Sequence, residues 1–297
     1  VVQVNDPPVA QDDEYDMCQK DVLTISNPSN GILPNDSDPV ENNLIYAFKE
    51  TKSTVESGSI TIDSVGTFTY TPVDLDFYGR DSVKYYVWDT GLNVPERDSA
   101  YIIVNVNPLP DSTLTFYGDT ICRGNSASLT LENSVSGFNY ELYLVQNSSP
   151  ISDQDGDGGN LTFNVSPLID TSYVILVTNN TTLCDVYLLD TAHVLVDQPV
   201  TIADAGPDQI LCVDTLTDMA ANTVSLTNEE SGLWTIVYDP APGLSNIDET
   251  DNPITQVDGL KRIDSTVFRW TISSRFEACP DTYDEVAVMI DTTTTIA

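Results

Sequence analysis

The chain has 297 residues, of which 46 are Asp or Glu and 11 are Lys or Arg, for a formal net charge of -35 at pH 7. That balance excludes a nucleic-acid-binding surface or an anionic-lipid surface, both of which need clustered cations; the longest basic cluster is the pair Lys261 and Arg262. A hydrophobic fraction of 40%, with 14 Tyr, 8 Phe and 3 Trp, is enough for packed cores, so the acidity does not signal disorder.

Residues 1–4 carry none of the basic and apolar regions of a leader peptide, and no run approaches the ~18 apolar residues that span a bilayer, so no membrane insertion is expected. We read the chain as an excerpt of a longer one, with residues 1–8 the end of a preceding repeat and its linker. A β-type run closing in a short polar or proline-containing linker recurs at 1–8, 101–110, 194–199 and 286–291. The closing residues Asn5, Asn107, Asp197 and Asp291 are 102, 90 and 94 positions apart, a domain length. Between them lie short runs rich in Val, Ile, Thr and Tyr, such as 59–62, 67–71, 83–88, 140–145, 173–177 and 267–272, bounded by Gly, Asn, Asp and Pro. No stretch of ten residues shows helical apolar spacing. The expectation is an all-β chain of three β-sandwiches in tandem at 9–109, 110–198 and 199–297, each of about seven strands.

The five cysteines follow these marks: Cys18 in the first unit, Cys122 and Cys184 in the second, Cys212 and Cys279 in the third. Separations of 62 and 67 suit a staple between an early and a late strand, so the expected bridges are Cys122 with Cys184 and Cys212 with Cys279, against the alternative of free thiols. Such bridges imply export. Zinc fails on spacing, since no C-x2-C pair occurs and the one His, His193, sits in an alternating run. Cys18 is left over, either a buried thiol or a link to a preceding domain or another chain. Trp234 is expected in the core on the third unit's disulfide, with Trp88 and Trp270 also as core candidates.

Carboxylates in this excess must be solvated or bind cations, and hard oxygen ligands at short spacing suit calcium. Asp153, Asp155 and Asp157 followed by Gly158 match the first half of an EF-hand-type loop, but the twelfth position is Asn164 and not Glu; a solvated acidic hairpin tip would look similar. In the first unit Asp6, Asp12, Asp13, Asp36, Asp38, Asp74, Asp76 and Asp89 lie in turn or linker contexts, as ordinary turn formers or as carboxylates converging on a cation. Catalysis finds no support: a single His, no G-x-S-x-G or H-E-x-x-H, and no phosphate-cradling glycine pattern. We expect no enzyme.

Residues 5–107 resemble a bacterial cadherin-like tandem repeat, through NDPPVAQDD at 5–13, LTI at 23–25, NGILPNDSDP at 30–39, GTFTYTP at 66–72, DFYGRDS at 76–82, YVWD at 86–89 and VNVN at 104–107. The third unit looks like a PKD-type or Ig-like repeat, from ADAGPDQ at 203–209, GLWT at 232–235, NPITQVDGL at 252–260 and FRWTI at 268–272; the second is a looser Ig-like match resting on ICRG at 121–124 and its second cysteine. The mixture resembles the large surface adhesins and filaments of gliding bacteria that use type IX secretion. The resemblance implies three Ig-like or cadherin-like β-sandwich domains, calcium as the cofactor, and an extracellular, cell-surface location. It also implies a structural or adhesive role as a stiff spacer or filament unit. Expected partners are neighbouring repeats of the same chain, identical chains in a filament and surface glycans; a glycan- or protein-binding module and an accessory region of a secreted enzyme are the alternatives. The triplet of Asp, Ser or Thr, then an apolar residue or Thr, resembles the O-glycan acceptor of such bacteria and places acceptors at Ser64, Ser82, Ser99, Ser112, Thr120, Thr191, Thr215, Ser265 and Thr292.

Overall fold

The computed structural model describes residues 5–40, 42–49, 58–91, 95–212, 214–262 and 264–291. Among them the regular structure is β-strand, apart from single 3-10 turns at Pro28–Asn30 and Leu226–Asn228. The strands arise where β-branched and aromatic residues alternate with polar ones. Phe68–Pro72 buries Phe68, Tyr70 and Pro72 and turns its threonines outward; Thr266–Ser273 buries Thr266, Phe268, Trp270 and Ile272. With period-2 patterning each strand has one apolar face, and two sheets must close over each other to cover it.

The buried apolar residues fall into three clusters. The first runs from Met17 to Val106, between a sheet ordered Asp13–Cys18, Arg97–Asn107, Gly79–Trp88, Tyr46–Lys49 and a second ordered Leu23–Ile25, Phe68–Pro72, Gly58–Ile62. The second runs from Phe116 to Val196, between Leu161–Val165, Ala127–Leu131, Phe116–Tyr117 on one side and Ser152–Asp155, Phe138–Leu144, Thr171–Asn179, Ala192–Asp197, Asp119–Cys122 on the other, with Asp185–Tyr187 added beside Thr171–Asn179. The third runs from Ala203 to Ile290, between Gln209–Leu211, Thr282–Ile290, Thr266–Ser273, Ser231–Tyr238 and Thr217–Asp218, Gln256–Asp258, Asn246–Ile247. In the middle cluster the chain changes sheets at Gly118, between Phe116–Tyr117 and Asp119–Cys122. A Cβ there would collide with the His193 carbonyl, so only glycine allows the crossing.

Of the tryptophans, Trp234 and Trp270 fill the third core with ring centroids 5.2 Å apart, but the expected Cys212–Cys279 bridge does not form. Trp88 is half-buried on the outer face of the first core's larger sheet, against Phe48. Of the neighbouring tyrosines, Tyr85 is buried and Tyr86 half-buried, as opposite faces of one strand require.

The poles of each sandwich are set by one topological feature. In every cluster a first strand runs parallel to the last one, pairing Cys18 with Asn107, Cys122 with Asp197 and Leu211 with Ile290. The end of the first strand therefore lies beside the end of the last, while the turn entering the last strand lies at the opposite pole.

Candidate functional site

The cysteines define the site, and their pairing corrects the sequence expectation. Cys18 is bonded to Cys184 and Cys122 to Cys279, so each bridge joins two different cores, and Cys212 is an exposed free thiol. The expected pairs fail for a geometric reason. Cys122 lies beside Asp197 and, through the Val196 N–H on Asp170, at the start of Thr171–Asn179; Cys184 lies just past its end, where the Asn179 N–H donates to the Cys184 carbonyl at 2.9 Å. Eight steps of ~3.3 Å separate those poles by roughly 26 Å, far beyond the span of a disulfide. Cys212 and Cys279 likewise flank opposite ends of Thr282–Ile290. Cys18, left over in the sequence reading, reaches the near pole of the middle core.

At the second junction the bridge is embedded in a polar network built on Asp197. Its side chain is 1% exposed. Oδ2 accepts from the Ser274 hydroxyl at 2.8 Å and from the Phe276 and Ala278 N–H groups at 3.0 Å each. Oδ1 has no hydrogen-bond partner and lies 3.8 Å from Arg275 Nε. Arg275 Nη2 also donates to both oxygens of Asp170, at 3.1 and 3.0 Å. The Val196 N–H, with Arg275 adding to it against the effect of burial, holds the Asp170 carboxyl below its ordinary pKa. The linker beyond is fixed by Glu230, which accepts from the Thr201 N–H at 2.9 Å and the Ser225 N–H at 2.7 Å. Burial pushes the Glu230 pKa up, but these donors outweigh it and leave the carboxyl below its ordinary value.

The first junction is sparser. The Leu109 N–H donates to Gln19 Oε1 at 3.2 Å on one side of the linker, and the Leu189 N–H donates to the Ser112 carbonyl at 2.9 Å on the other. Among the described residues no hydrogen bond or ion pair passes directly between residues 5–107 and 116–197, which leaves the Cys18–Cys184 bridge as their polar or covalent tie.

Calcium, implied by the resemblance, was tested against the predicted ligands. Among the described residues no three His, Cys, Asp or Glu side chains gather as a metal site. Asp13 and Asp36 do come together: the Tyr85 hydroxyl lies 2.9 Å from Asp13 Oδ2, 3.1 Å from Asp36 Oδ2, 2.9 Å from the Gln11 carbonyl and 3.3 Å from the Ile32 carbonyl. One phenolic proton serves one of these four oxygens at a time. Burial, opposed by the Tyr85 bond and reinforced by Asp36, pushes Asp13 up to about 7; burial likewise pushes Asp36 up to about 6. The other residues go elsewhere: Asp12 accepts the Tyr101 N–H at 2.8 Å, buried Asp38 accepts the Asn43 N–H at 3.2 Å, Asp76 is exposed 3.8 Å from the Lys20 ammonium, and Asp6 is exposed. Asp74 and Asp89 cap turns, accepting the Asp76 N–H and the Gly91 and Glu96 N–H groups. Two carboxylates and two carbonyls thus face the Tyr85 hydroxyl, and no third acidic side chain joins them among the described residues.

The acidic run of the middle unit also departs from expectation. Ser152–Asp155 is an edge strand and not a loop, so Asp153 and Asp155 share one face and both accept from Asn139 Nδ2, at 3.3 and 3.2 Å. Asp157 turns away to accept the Ser134 hydroxyl at 3.3 Å and the Gly159 N–H at 2.8 Å. Of the glycan acceptors, Ser64, Ser82, Thr120 and Thr215 are exposed, Ser99, Ser112, Thr191 and Ser265 are half-buried, and Thr292 lies outside the described residues.

Residues 5–108 match the family model of the bacterial cadherin-like domain, which makes this part of the chain similar to that family. Among solved structures, the chain is similar to Sidekick-1 immunoglobulin domains 1-5 at 12% identity and a TM-score of 0.38, covering 94% of this chain and 59% of that one. It is also similar to the human desmocollin-1 ectodomain at 11% identity and a TM-score of 0.29, covering 96% and 61%. The chain thus spans about three fifths of the length of these structures. No curated protein matches it.

Proposed function

We propose that this chain is a load-bearing spacer of an extracellular surface protein, in which β-sandwich domains at 9–109, 110–198 and 199–297 follow one another and are locked together at their junctions. The observation that carries this reading is the interleaving of the bridges: in chain order the bonded cysteines run 18, 122, 184, 279, with 18 joined to 184 and 122 to 279. Tension entering at one end reaches Cys18, crosses to Cys184, runs back through the middle core to Cys122 and crosses to Cys279. Segments 19–121 and 185–278 are longer parallel branches of this route and stay slack. The shortest covalent path is about 100 residues, roughly 330 Å at full extension, against roughly 1,000 Å for the open chain. Disulfides form and persist in oxidising compartments, so the two bridges support export to the cell surface.

Single-molecule stretching tests the reading. The oxidised chain is expected to stop extending at roughly a third of the length reached after reduction; equal lengths in both states would overturn it. The mixture of repeats supports placement among the surface adhesins or filaments of gliding bacteria. The exposed acceptors Ser64, Ser82, Thr120 and Thr215 support O-glycosylation, read as added mass on those peptides of the native protein.

A second reading, a glycan- or protein-binding module, is favoured by one observation on the first core. Its larger sheet carries an aromatic strip of exposed Tyr46 with Phe48, Tyr86 and Trp88, the Phe48 and Tyr86 rings stacked at 5.7 Å. The Arg97 guanidinium lies 4.9 Å from the Tyr86 centroid and Lys84 Nζ 5.3 Å, so two of only 11 cations gather on one face. Glycan-array binding that is lost in Trp88→Ala with the bridges intact would establish it.

A further inference from the structure

Cys212 is the third copy of a position whose first two copies are bridged. Cys18 ends a strand parallel to the last strand of its core and stands opposite the closing residue Asn107; Cys122 does the same opposite Asp197. Gln209–Leu211 runs parallel to Thr282–Ile290 with Leu211 opposite Ile290, and the Asp291 N–H donates to the Leu211 carbonyl at 2.7 Å. One step further along this register sets Cys212 opposite the closing residue Asp291. In both bridged copies the partner is a buried cysteine in the connection entering the last strands of the next core, Cys184 or Cys279, 166 and 157 residues further on. The corresponding connection of the first core, residues 89–96, contains no cysteine, so the series has one polarity: each sandwich offers its early cysteine forward.

We propose that Cys212 is a forward bridging site, whose partner is the late cysteine of a further β-sandwich following in the same polypeptide, 157 to 166 residues beyond Cys212. The inference rests on the spacer reading, because it extends the same series of junctions. The repeat of register and bonded partner carries it, and the Cys212 thiol is free and exposed.

The chemistry balances by two thiol–disulfide exchanges with a protein disulfide oxidant. The Cys212 thiolate attacks one oxidant sulfur, forming a mixed disulfide and expelling the other oxidant sulfur as a thiolate. The late-cysteine thiolate then attacks the Cys212 sulfur, forming the new S–S bond and expelling the second oxidant thiolate. Two electrons pass to the oxidant, whose sulfurs take up the two protons that the protein thiols gave up.

The test is disulfide mapping of the full polypeptide, alkylated without reductant before digestion. The expected result is a Cys212 peptide linked to one 157 to 166 residues downstream. In Cys212→Ser that downstream cysteine should become alkylated, rising from near zero to about one label per chain. Cys212 recovered alkylated, or joined to Cys212 of a second copy, would overturn the inference. The same digest separates the two ideas: loss of the Cys18–Cys184 and Cys122–Cys279 peptides sinks the spacer reading, whereas their presence beside a free Cys212 sinks only this one.

Discussion

The two junctions are closed by the same covalent device but differ in what surrounds it. At the first, Cys18–Cys184 stands without a direct polar contact between the two cores among the described residues; at the second, Cys122–Cys279 is reinforced by Asp197, Ser274, Arg275 and Asp170. A disulfide fixes a distance between two points, whereas an orientation needs further contacts. The first junction therefore has its bridge to limit separation, whereas the second has the Asp197 network beside its bridge to fix orientation as well.

Removing the bridges one at a time gives the largest expected effect. Each closes a loop of more than 150 residues, so by the chain-entropy argument each loss costs about 5 kcal/mol toward global unfolding. Their geometric consequences should diverge. In Cys18→Ser with Cys184→Ser, small-angle scattering should report a broadened distance distribution as the first core swings free; in Cys122→Ser with Cys279→Ser the distribution should stay close to that of the parent. Equal broadening would mean that the Asp197 network does not hold the second junction.

Asp197→Ala comes next. It leaves a hydroxyl and two N–H donors without their buried acceptor and is expected to cost about 3 kcal/mol in urea denaturation. Combined with loss of the second bridge, it should turn the second junction into a hinge like the unbridged first. Pairing it with loss of the first bridge should give no such conversion.

Solution pH separates the regions with opposite sign. Asp13 and Asp36, raised to about 7 and about 6, hold protons in the folded first core that the unfolded chain has released, so between about pH 4 and pH 7 the folded state binds more protons. Stability of that core should rise as pH falls through this window and be lowest above about 7. Asp170 and Glu230 are depressed, so their contribution is present at neutral pH and disappears only below the ordinary carboxylate range. Hydrogen exchange resolved by segment should show protection growing around Tyr85 from pH 8 to pH 5 with the second junction unchanged. Asp13→Asn with Asp36→Asn should flatten the first response.

Much of this was legible in the sequence at the level of elements. Strand patterning, the closing residues and the core placement of Trp234 and Trp270 follow from alternation and turn chemistry alone. The bridges were missed because spacing along the chain does not say at which pole of a sandwich a cysteine stands. The missing knowledge was the parallel pairing of first and last strands, which involves residues some 75 to 90 apart and leaves no local pattern. A cue was present nonetheless: Cys18, Cys122 and Cys212 follow Asn5, Asn107 and Asp197 by 13 to 15 residues, and Cys184 and Cys279 precede Asp197 and Asp291 by 13 and 12. Two positional classes argue for pairing between classes of neighbouring units. The Asp153 to Asp157 run misled because a D-x-D-x-D alternation has the period of a strand as much as that of a loop.

The smallest effect concerns Arg275, which stands between exposed Asp170 and Glu229 on one side and buried Asp197 on the other. Arg275→Ala is expected to cost about 1 kcal/mol, since the Asp170 pair is solvent-screened. The exposed and the buried partners predict different salt responses. If the arginine acts through Asp170, the loss shrinks as salt rises and Asp170→Asn removes it. If it acts through Asp197, whose Oδ1 has only the Arg275 Nε at 3.8 Å to balance its charge, the loss persists at high salt because both groups are shielded from ions. The depth of Asp197 favours the second outcome, and a double-mutant cycle between Arg275→Ala and Asp170→Asn should give a coupling below about 0.5 kcal/mol. A larger coupling would place the junction's electrostatics at its surface, and the contrast between the two junctions would then rest on Ser274 and the backbone donors alone.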